Sequence, residues 1–415
     1  MTESALRIAI LGLNYAPEPT GNAPYTSSLA EGLKARGHQV RVLTSHPHYP
    51  EWRVRDGYGG WRRHESVEGV PVDRLAHYVP KKPNGIQRLI SEISFGARLL
   101  FARWGRPDVI LLVSPALVSS WMALWRIRFP LGRRPASAIW VQDLYSLGIA
   151  ETGDGGGIAE RVLTTIERAT FANTDGVAVI HQRFANHAVS RLGVRDEKLE
   201  VIRNWTHLPP APVVDVAAVR SSHGWREEDV IVLHAGNMGK KQGLHNVVDC
   251  ARLADERGAS VRFVLMGGGN QRDALVESAA GVDRIQFIEP LPNDEFQAAL
   301  AAADVLLVNE LPGLAEMAVP SKLTSYFSTG RPVIAATDEG SVTAGEIDSS
   351  GGGLRVDAGD PEGLLDGVLS LGVDADLARN LGQNGLAYRE RVLSSESAID
   401  HYAEWLVGLA AERRR

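Results

Sequence analysis

Short apolar runs, each closed by glycine or a polar turn, punctuate the first half of the chain at residues 8–13, 40–44, 109–113, 138–141 and 177–180. Runs this short and this uniformly apolar are the pattern of strands buried on both faces of a parallel sheet. Segments with apolar positions at helical spacing, 25–36 and 158–172, separate some of them, and this alternation predicts a doubly wound sheet. Pro209-Pro210-Ala211-Pro212 then interrupts regular structure, because proline removes a backbone donor and fixes φ. Beyond it the alternation restarts at 231–235, 261–266, 285–288, 305–308 and 333–336. The expected fold class is therefore α/β, with two doubly wound Rossmann-like domains facing each other across a cleft. The expected boundaries are 1–208, 209–390 and a C-terminal helical segment, 391–415, packing across the hinge. That last segment carries Ile399, Tyr402, Leu406 and Leu409 at helical spacing. Ligands of open α/β sheets bind beyond the carboxyl ends of the strands, so the loops there are the expected seat of chemistry.

Composition narrows the function classes. A chain of 415 residues with net charge -6, 44% hydrophobic and 23% charged residues is an ordinary globular mixture, too long for one core, and nucleic acid is not its expected partner. Cys250 is the single cysteine; it reads as core filler, and a reducing, cytoplasmic setting follows. Arg7 interrupts the first apolar stretch, so no signal peptide is read there, and residues 110–124 come nearest to a membrane span before Arg126 ends them. The protein is expected to be soluble or to lie on a membrane, at the inner face of the plasma membrane. Residues 121–134 interleave Trp121, Trp125 and Phe129 with Arg126, Arg128, Arg133 and Arg134. That is the pattern of a helix on an anionic membrane and equally of a half-buried helix with a basic end.

Val319-Pro320-Ser321-Lys322-Leu323-Thr324-Ser325-Tyr326 puts one lysine where a turn enters a short helix. Backbone N–H groups at a helix start and a lysine beside them suit a diphosphate, with a capped helix and a solvated lysine as the plainer reading. His234-Ala235-Gly236-Asn237-Met238-Gly239-Lys240-Lys241-Gln242-Gly243 follows one expected strand, and Met266-Gly267-Gly268-Gly269-Asn270 ends the next. Three such loops together point to an anionic ligand of nucleotide size. In the first half the loop through Thr20-Gly21-Asn22 runs from the first strand to a helix near Tyr25, and it lacks the three spaced glycines of a dinucleotide site. Asp143 ends a strand and suits ordering or deprotonating an acceptor hydroxyl, or capping a helix. Glu316 suits sugar hydroxyls. His181 follows a strand and is read as a cleft residue or a structural histidine. His46-Pro47-His48 and Asp374-Ala375-Asp376 are read as structural, with no metal expected.

These motifs, together with Tyr15-Ala16-Pro17-Glu18-Pro19-Thr20-Gly21, Pro47-His48-Tyr49-Pro50-Glu51-Trp52, Gln142-Asp143 and Asn204-Trp205, give the whole chain a family resemblance. It resembles a family 4 retaining glycosyltransferase of the two-domain GT-B architecture, in the bacterial exopolysaccharide branch that includes colanic acid fucosyltransferase. The resemblance implies a nucleotide-diphosphate sugar as donor, bound by the C-terminal domain through Gly236, Asn237, Lys240, Lys241, Gly267, Gly268, Ser321 and Ser325. It implies a saccharide or polyprenyl-linked acceptor on the N-terminal domain near Thr20, Gly21 and Asn22, and no cofactor or essential metal. Lys322 is implied to stabilise the leaving diphosphate, with Glu316 and Asp143 beside the reacting sugars. The chain departs from the wider family at Ser325, where relatives carry a second glutamate, and at Asn237 and Gln242, where relatives carry an arginine and a lysine. A nucleotide-sugar epimerase, a small-molecule glycosyltransferase and a non-catalytic nucleotide-sugar binder are the rival readings.

Overall fold

The computed structural model describes residues 5–19, 21–81, 85–129, 133–146, 158–205, 214–313 and 321–414. The chain divides into two compact units, Met1–Trp205 with Ser395–Arg415, and Thr206–Ser394. In chain order the first unit contains β1 (Arg7–Leu11), α1 (Ala23–Ala35), β2 (Gln39–Ser45), β3 (Arg62–Val67), β4 (Val70–Leu75), α2 (Gly85–Phe101), β5 (Val109–Val113), α3 (Leu117–Arg128), β6 (Ala136–Val141), α4 (Ile158–Asn173), β7 (Gly176–Val179), α5 (Gln182–Ser190) and β8 (Leu199–Val201). The second contains α6 (Val216–Ser222), β9 (Val230–Ala235), α7 (His245–Arg257), β10 (Val261–Met266), α8 (Arg272–Ser278), β11 (Ile285–Ile288), α9 (Asn293–Ala302), β12 (Val305–Asn309), α10 (Ser321–Phe327), β13 (Val333–Ala336), α11 (Val342–Ser350), β14 (Gly353–Val356), α12 (Pro361–Val373) and α13 (Ala375–Val392). The last helix, α14 (Ser395–Glu412), returns to the first unit.

The first sheet has the order β3-β4-β2-β1-β5-β6-β7-β8 and the second β11-β10-β9-β12-β13-β14. The second order is that of a dinucleotide-type Rossmann sheet, all parallel, with its reversal between β9 and β12. In the first sheet the reversal falls between β1 and β5. Every strand expected from an apolar run is present. The runs buried on both faces account for this: Val109–Val113 and Ala136–Val141 are buried at every position. One pairing breaks the all-parallel expectation, since β3 runs antiparallel to β4. Glu68 and Gly69 join them with φ of 47° and 73°, the two left-handed residues that a tight hairpin of matching twist requires. The β3 sequence RRHESV is largely exposed and puts charge on the sheet edge, which discourages pairing with another chain. A strand that polar leaves no apolar run to read.

The C-terminal helix belongs to the first unit and packs on α1 and β6 there. A Cβ on Gly32 of α1 would lie 2.5 Å from Ile399 Cδ1, so the two helices meet closely. The Tyr402 ring stands 5.2 Å from Trp140 of β6, and Trp205 stacks on the same indole at 5.8 Å. Trp205 also donates from Nε1 to Ser28 Oγ at 3.1 Å. The apolar stripe of α14 is thus satisfied inside one unit. Cys250 is free and fully buried among the apolar residues between α7 and the second sheet. The proline stretch 209–212 lies outside the described residues.

Candidate functional site

Beyond the reversal of the second sheet, three segments converge. Asn309 closes β12 and donates from its side-chain amide to the carbonyls of Gln242, 2.8 Å, and Gly243, 3.1 Å, which ties the loop after β9 to the end of β12. The loop after β10 lies against it: Gly236 N–H donates to Met266 O at 2.8 Å and Met238 N–H to Gly268 O at 2.7 Å. Gly236 and Gly267 have φ of 130° and 137°, a region that disfavours a Cβ. The third segment is α10, which opens at Ser321 and carries Lys322 on its second residue. Tyr326, fully buried, anchors it by accepting the Ala235 N–H at 2.9 Å.

Lys322 and His234 meet where these segments converge. A Cβ on Gly236 would lie 3.0 Å from Lys322 Cε, so the lysine stem rests on the glycine loop. Its Nζ is 3.0 Å from His234 Nε2, while His234 Nδ1 is 3.2 Å from the Leu307 carbonyl. A carbonyl only accepts, so Nδ1 carries the ring proton, and Nε2 is left with the lone pair that accepts from the ammonium group. Burial, and next the charge of Lys322, push the His234 pKa well below its ordinary value. The ring is therefore neutral and serves as a fixed acceptor that orients a cation without cancelling its charge. A carboxylate in the same place would hold the lysine more tightly and neutralise it.

The other expected donor residues divide by exposure. Gly236, Gly267 and Gly268 lie on the two stacked loops, Ser325 is half-buried on α10, and Asn237, Lys240 and Lys241 are exposed. Lys240 and Lys241 stand on a 3-10 turn, Lys240–Gln242, whose backbone is held by Leu311 N–H donating to Lys241 O at 2.9 Å. Glu316, Pro320 and Thr20 lie outside the described residues, as does the side chain of Ser321.

In the first unit the corresponding reversal holds a cavity of about 290 Å³. Gly21, Asn22 and Asp143 all line it. Asn22 donates from Nδ2 to Ser114 O at 2.8 Å, which binds the loop after β1 to the end of β5. Asp143 Oδ1 accepts from Leu144 N–H at 2.9 Å, and its carbonyl accepts from Ser114 Oγ at 3.0 Å. Arg88, Glu92, Tyr145 and Trp52 share the cavity wall without having been singled out as site residues. Glu92 is 6% exposed, accepts from Tyr145 Oη and takes the Val118 N–H at 2.8 Å. Its burial pushes the carboxyl up to about 7, against the opposing pull of those two hydrogen bonds. An acid within a run of apolar helical residues was the sequence signal for it.

The remaining candidates make local contacts, although His48 also lines the cavity. His181 caps α5, its Nδ1 accepting from Phe184 N–H at 3.2 Å, and its ring packs on Phe184 at 4.0 Å. Asp374 caps α13 through Leu377 N–H at 2.8 Å. His46 Nε2 bonds to Gly60 O and His48 Nδ1 to Ser45 Oγ. Among the described residues no group of three His, Cys, Asp or Glu side chains is placed to hold a metal ion.

Two Rossmann-like sheets, one with an oriented lysine against a pair of glycine loops and the other with a polar cavity, match a known class. The profile described as glycosyl transferase 4-like domain matches residues 20–205, and that described as glycosyl transferases group 1 matches residues 229–374. The chain belongs to this glycosyltransferase family and has its GT-B fold. Over 96% of its length it is 32% identical to the putative colanic acid biosynthesis glycosyl transferase WcaI of Escherichia coli (strain K12), covering 98% of that protein. Among solved structures it is similar to sucrose-phosphate synthase from Thermosynechococcus elongatus, with a TM-score of 0.73, 18% identity and coverage of 98% of this chain and 100% of that one. It is also similar to Anabaena HepE solved in complex with UDP, with a TM-score of 0.69, 16% identity and coverage of 97% and 100%.

Proposed function

We propose that this glycosyltransferase moves a hexose-type residue from a nucleotide-diphosphate sugar to a saccharide or polyprenyl-linked acceptor, in exopolysaccharide or glycoconjugate biosynthesis. Transfer keeps the anomeric configuration and needs no metal. The observation that carries this reading is the Lys322 ammonium, 3.0 Å from a neutral His234 and resting on the Gly236 loop. A departing diphosphate gathers negative charge, and a cation already oriented by the protein favours that state more than the ground state. Gly236, Asn237, Gly267 and Gly268 bring backbone close to the donor, with Lys240, Lys241, Ser321, Ser325 and Glu316 as further donor contacts. Thr20, Gly21, Asn22 and Asp143 serve the acceptor. The acceptor oxygen bonds to the anomeric carbon on the face from which the phosphate oxygen leaves, and the acceptor proton passes to that leaving phosphate. Support for the pathway comes from the relative named for colanic acid biosynthesis, and support for the donor class from HepE solved with UDP. With a competent donor and acceptor, the product is expected to show the donor's anomeric configuration by NMR at a rate unchanged by EDTA. An inverted product or a rate abolished by EDTA would contradict this reading.

The same protein is proposed to work on an anionic membrane surface, and α2 extends the case beyond residues 121–134. Ile86, Leu89, Ile90 and Ile93 of α2, Trp125 of α3 and Phe129 just past it are exposed. The two helices pack together, since a Cβ on Gly96 would lie 3.0 Å from Ser119 Cα. Residues 79–134 hold ten lysines and arginines and two acids in a chain of net charge -6. Of those acids Glu92 is buried and Asp108 is paired with Arg7 at 3.1 Å. Arg134 is paired with Asp175 at 3.9 Å, and an apolar face rimmed by the remaining excess of cations suits anionic headgroups. No helix among the described residues is long and apolar enough to cross a membrane. Co-sedimentation with phosphatidylglycerol vesicles is expected at low salt and should weaken as salt rises; no binding at low salt would refute it.

A further inference from the structure

Arg88 stands on the wall of the first unit's cavity and has no ion-pair partner among the described residues. An exposed residue of α2, it lines the cavity with its guanidinium carbon 5.3 Å from the Trp52 ring centroid, within reach of a cation–π attraction that leaves its N–H groups available. Four residues further along α2 stands Glu92, at the spacing where a helix ordinarily forms an ion pair. Glu92 turns inward instead, to Tyr145 Oη and Val118 N–H. Burial pushes its carboxyl up. Among the described residues Arg88 makes no ion pair; Arg98 and Arg126 nearby have none either, but their guanidinium groups are tied to the carbonyls of Trp61 and Leu99.

The surrounding wall is built for a sugar. Trp52 has φ of 51°, a left-handed conformation that a bulky side chain rarely adopts and that clusters at ligand sites. Tyr49 meets its ring edge-on at 6.0 Å, and both line the cavity. Asn14 and Asn22 engage an amide N–H with Glu18 Oε2 and Ser114 O, each at 2.8 Å, which fixes their orientation and leaves amide oxygens as acceptors for hydroxyl groups. Aromatic surface, oriented acceptors and a guanidinium with no ion pair among the described residues suit a carbohydrate that bears a negative charge, the Asp143 carboxylate on the same wall being left for a hydroxyl group.

We propose that the first-unit cavity is the subsite for an anionic saccharide acceptor, with Arg88 holding the negative group and Trp52 and Tyr49 bounding the sugar ring. This rests on the acceptor assignment made above and names its substrate class. The anion is the carboxylate of an acidic sugar or the phosphate that links a sugar to a carrier. Both present the paired oxygens that a guanidinium fork binds.

Binding to the full chain would be measured by NMR with methyl glucoside, methyl glucuronide and octyl phosphoglucose, on the native protein and on Arg88→Gln. Hydrogen bonds to a charged group are strong enough that at least one anionic probe should bind about tenfold or more tightly than methyl glucoside. Arg88→Gln should erase that margin and leave the affinity for methyl glucoside unchanged. A margin for the glucuronide alone assigns the anion to the sugar, and one for the phosphoglucose alone assigns it to the link. Equal affinities for charged and neutral probes, or a margin that survives Arg88→Gln, would overturn the proposal. Binding of nucleoside diphosphates by the second unit is measured in the same samples. It reports on the donor reading independently and verifies that the variant is folded.

Discussion

Replacing Lys322 by alanine is expected to lower kcat by about a hundredfold to a thousandfold, the cost of removing one preorganised donor from a developing anion. The side chain is half-buried and lies on the loop rather than in a core, so the fold should survive. His234 sharpens the expectation. In the native site the ammonium is placed by a neutral ring whose tautomer Leu307 O dictates, so the ring aims the charge without adding one of its own. Single-turnover rates with saturating donor are the measurement, since they isolate the chemical step from release. Unchanged turnover would remove Lys322 from the mechanism.

Gly267→Ala is expected to have the second largest effect, and on a different quantity. Gly267 has φ of 137°, and a Cβ there would lie far inside contact distance of the Gly236 carbonyl oxygen. Backbone cannot swing aside as a side chain can, so the two glycine loops must separate. The backbone conformation alone costs about 1–3 kcal/mol, and the displaced loops are the ones proposed to meet the donor. Nucleotide affinity should fall by more than the loss of stability explains. Gly281→Ala is the control: its φ is 78°, but nothing lies within 4 Å of the added Cβ. It should therefore lose stability while keeping nucleotide affinity, as seen by denaturant titration with and without nucleotide. Equal nucleotide affinity in the two variants would refute the loop assignment.

Ten of the fourteen strands among the described residues could be located from sequence because burial on both faces writes itself as an uninterrupted apolar run, whereas the half-buried β8 and β14 leave no such run and could not be located. The hairpin could not, because β3 earns its place through a turn at Glu68-Gly69 and edge charges rather than through apolar residues. Lys322 stood out by its position in a turn, whereas His234 reads locally as one polar residue within an apolar strand. Its role depends on Leu307 and Lys322, both 73 or more positions away. Arg88 and Glu92 have the spacing of an ordinary helical ion pair. Only the packing of α2 on Tyr145 and Val118 separates them. C-terminal residues 396–409 were readable as a helix by their spacing, but the partner of that stripe was not, since Trp140, Trp205 and Gly32 come together only through the fold.

The most direct measurement is thermal stability in the presence of UDP, GDP, dTDP and ADP, with and without EDTA, on the native chain and on Lys322→Ala. A ligand at a hundredfold excess over its dissociation constant stabilises the folded state by about 2.7 kcal/mol. The account predicts that one nucleotide raises the midpoint well above the others, that EDTA leaves the shift intact, and that Lys322→Ala diminishes it. No shift from any of the four, or a shift that Lys322→Ala leaves untouched, would contradict the assignment of the diphosphate to this lysine.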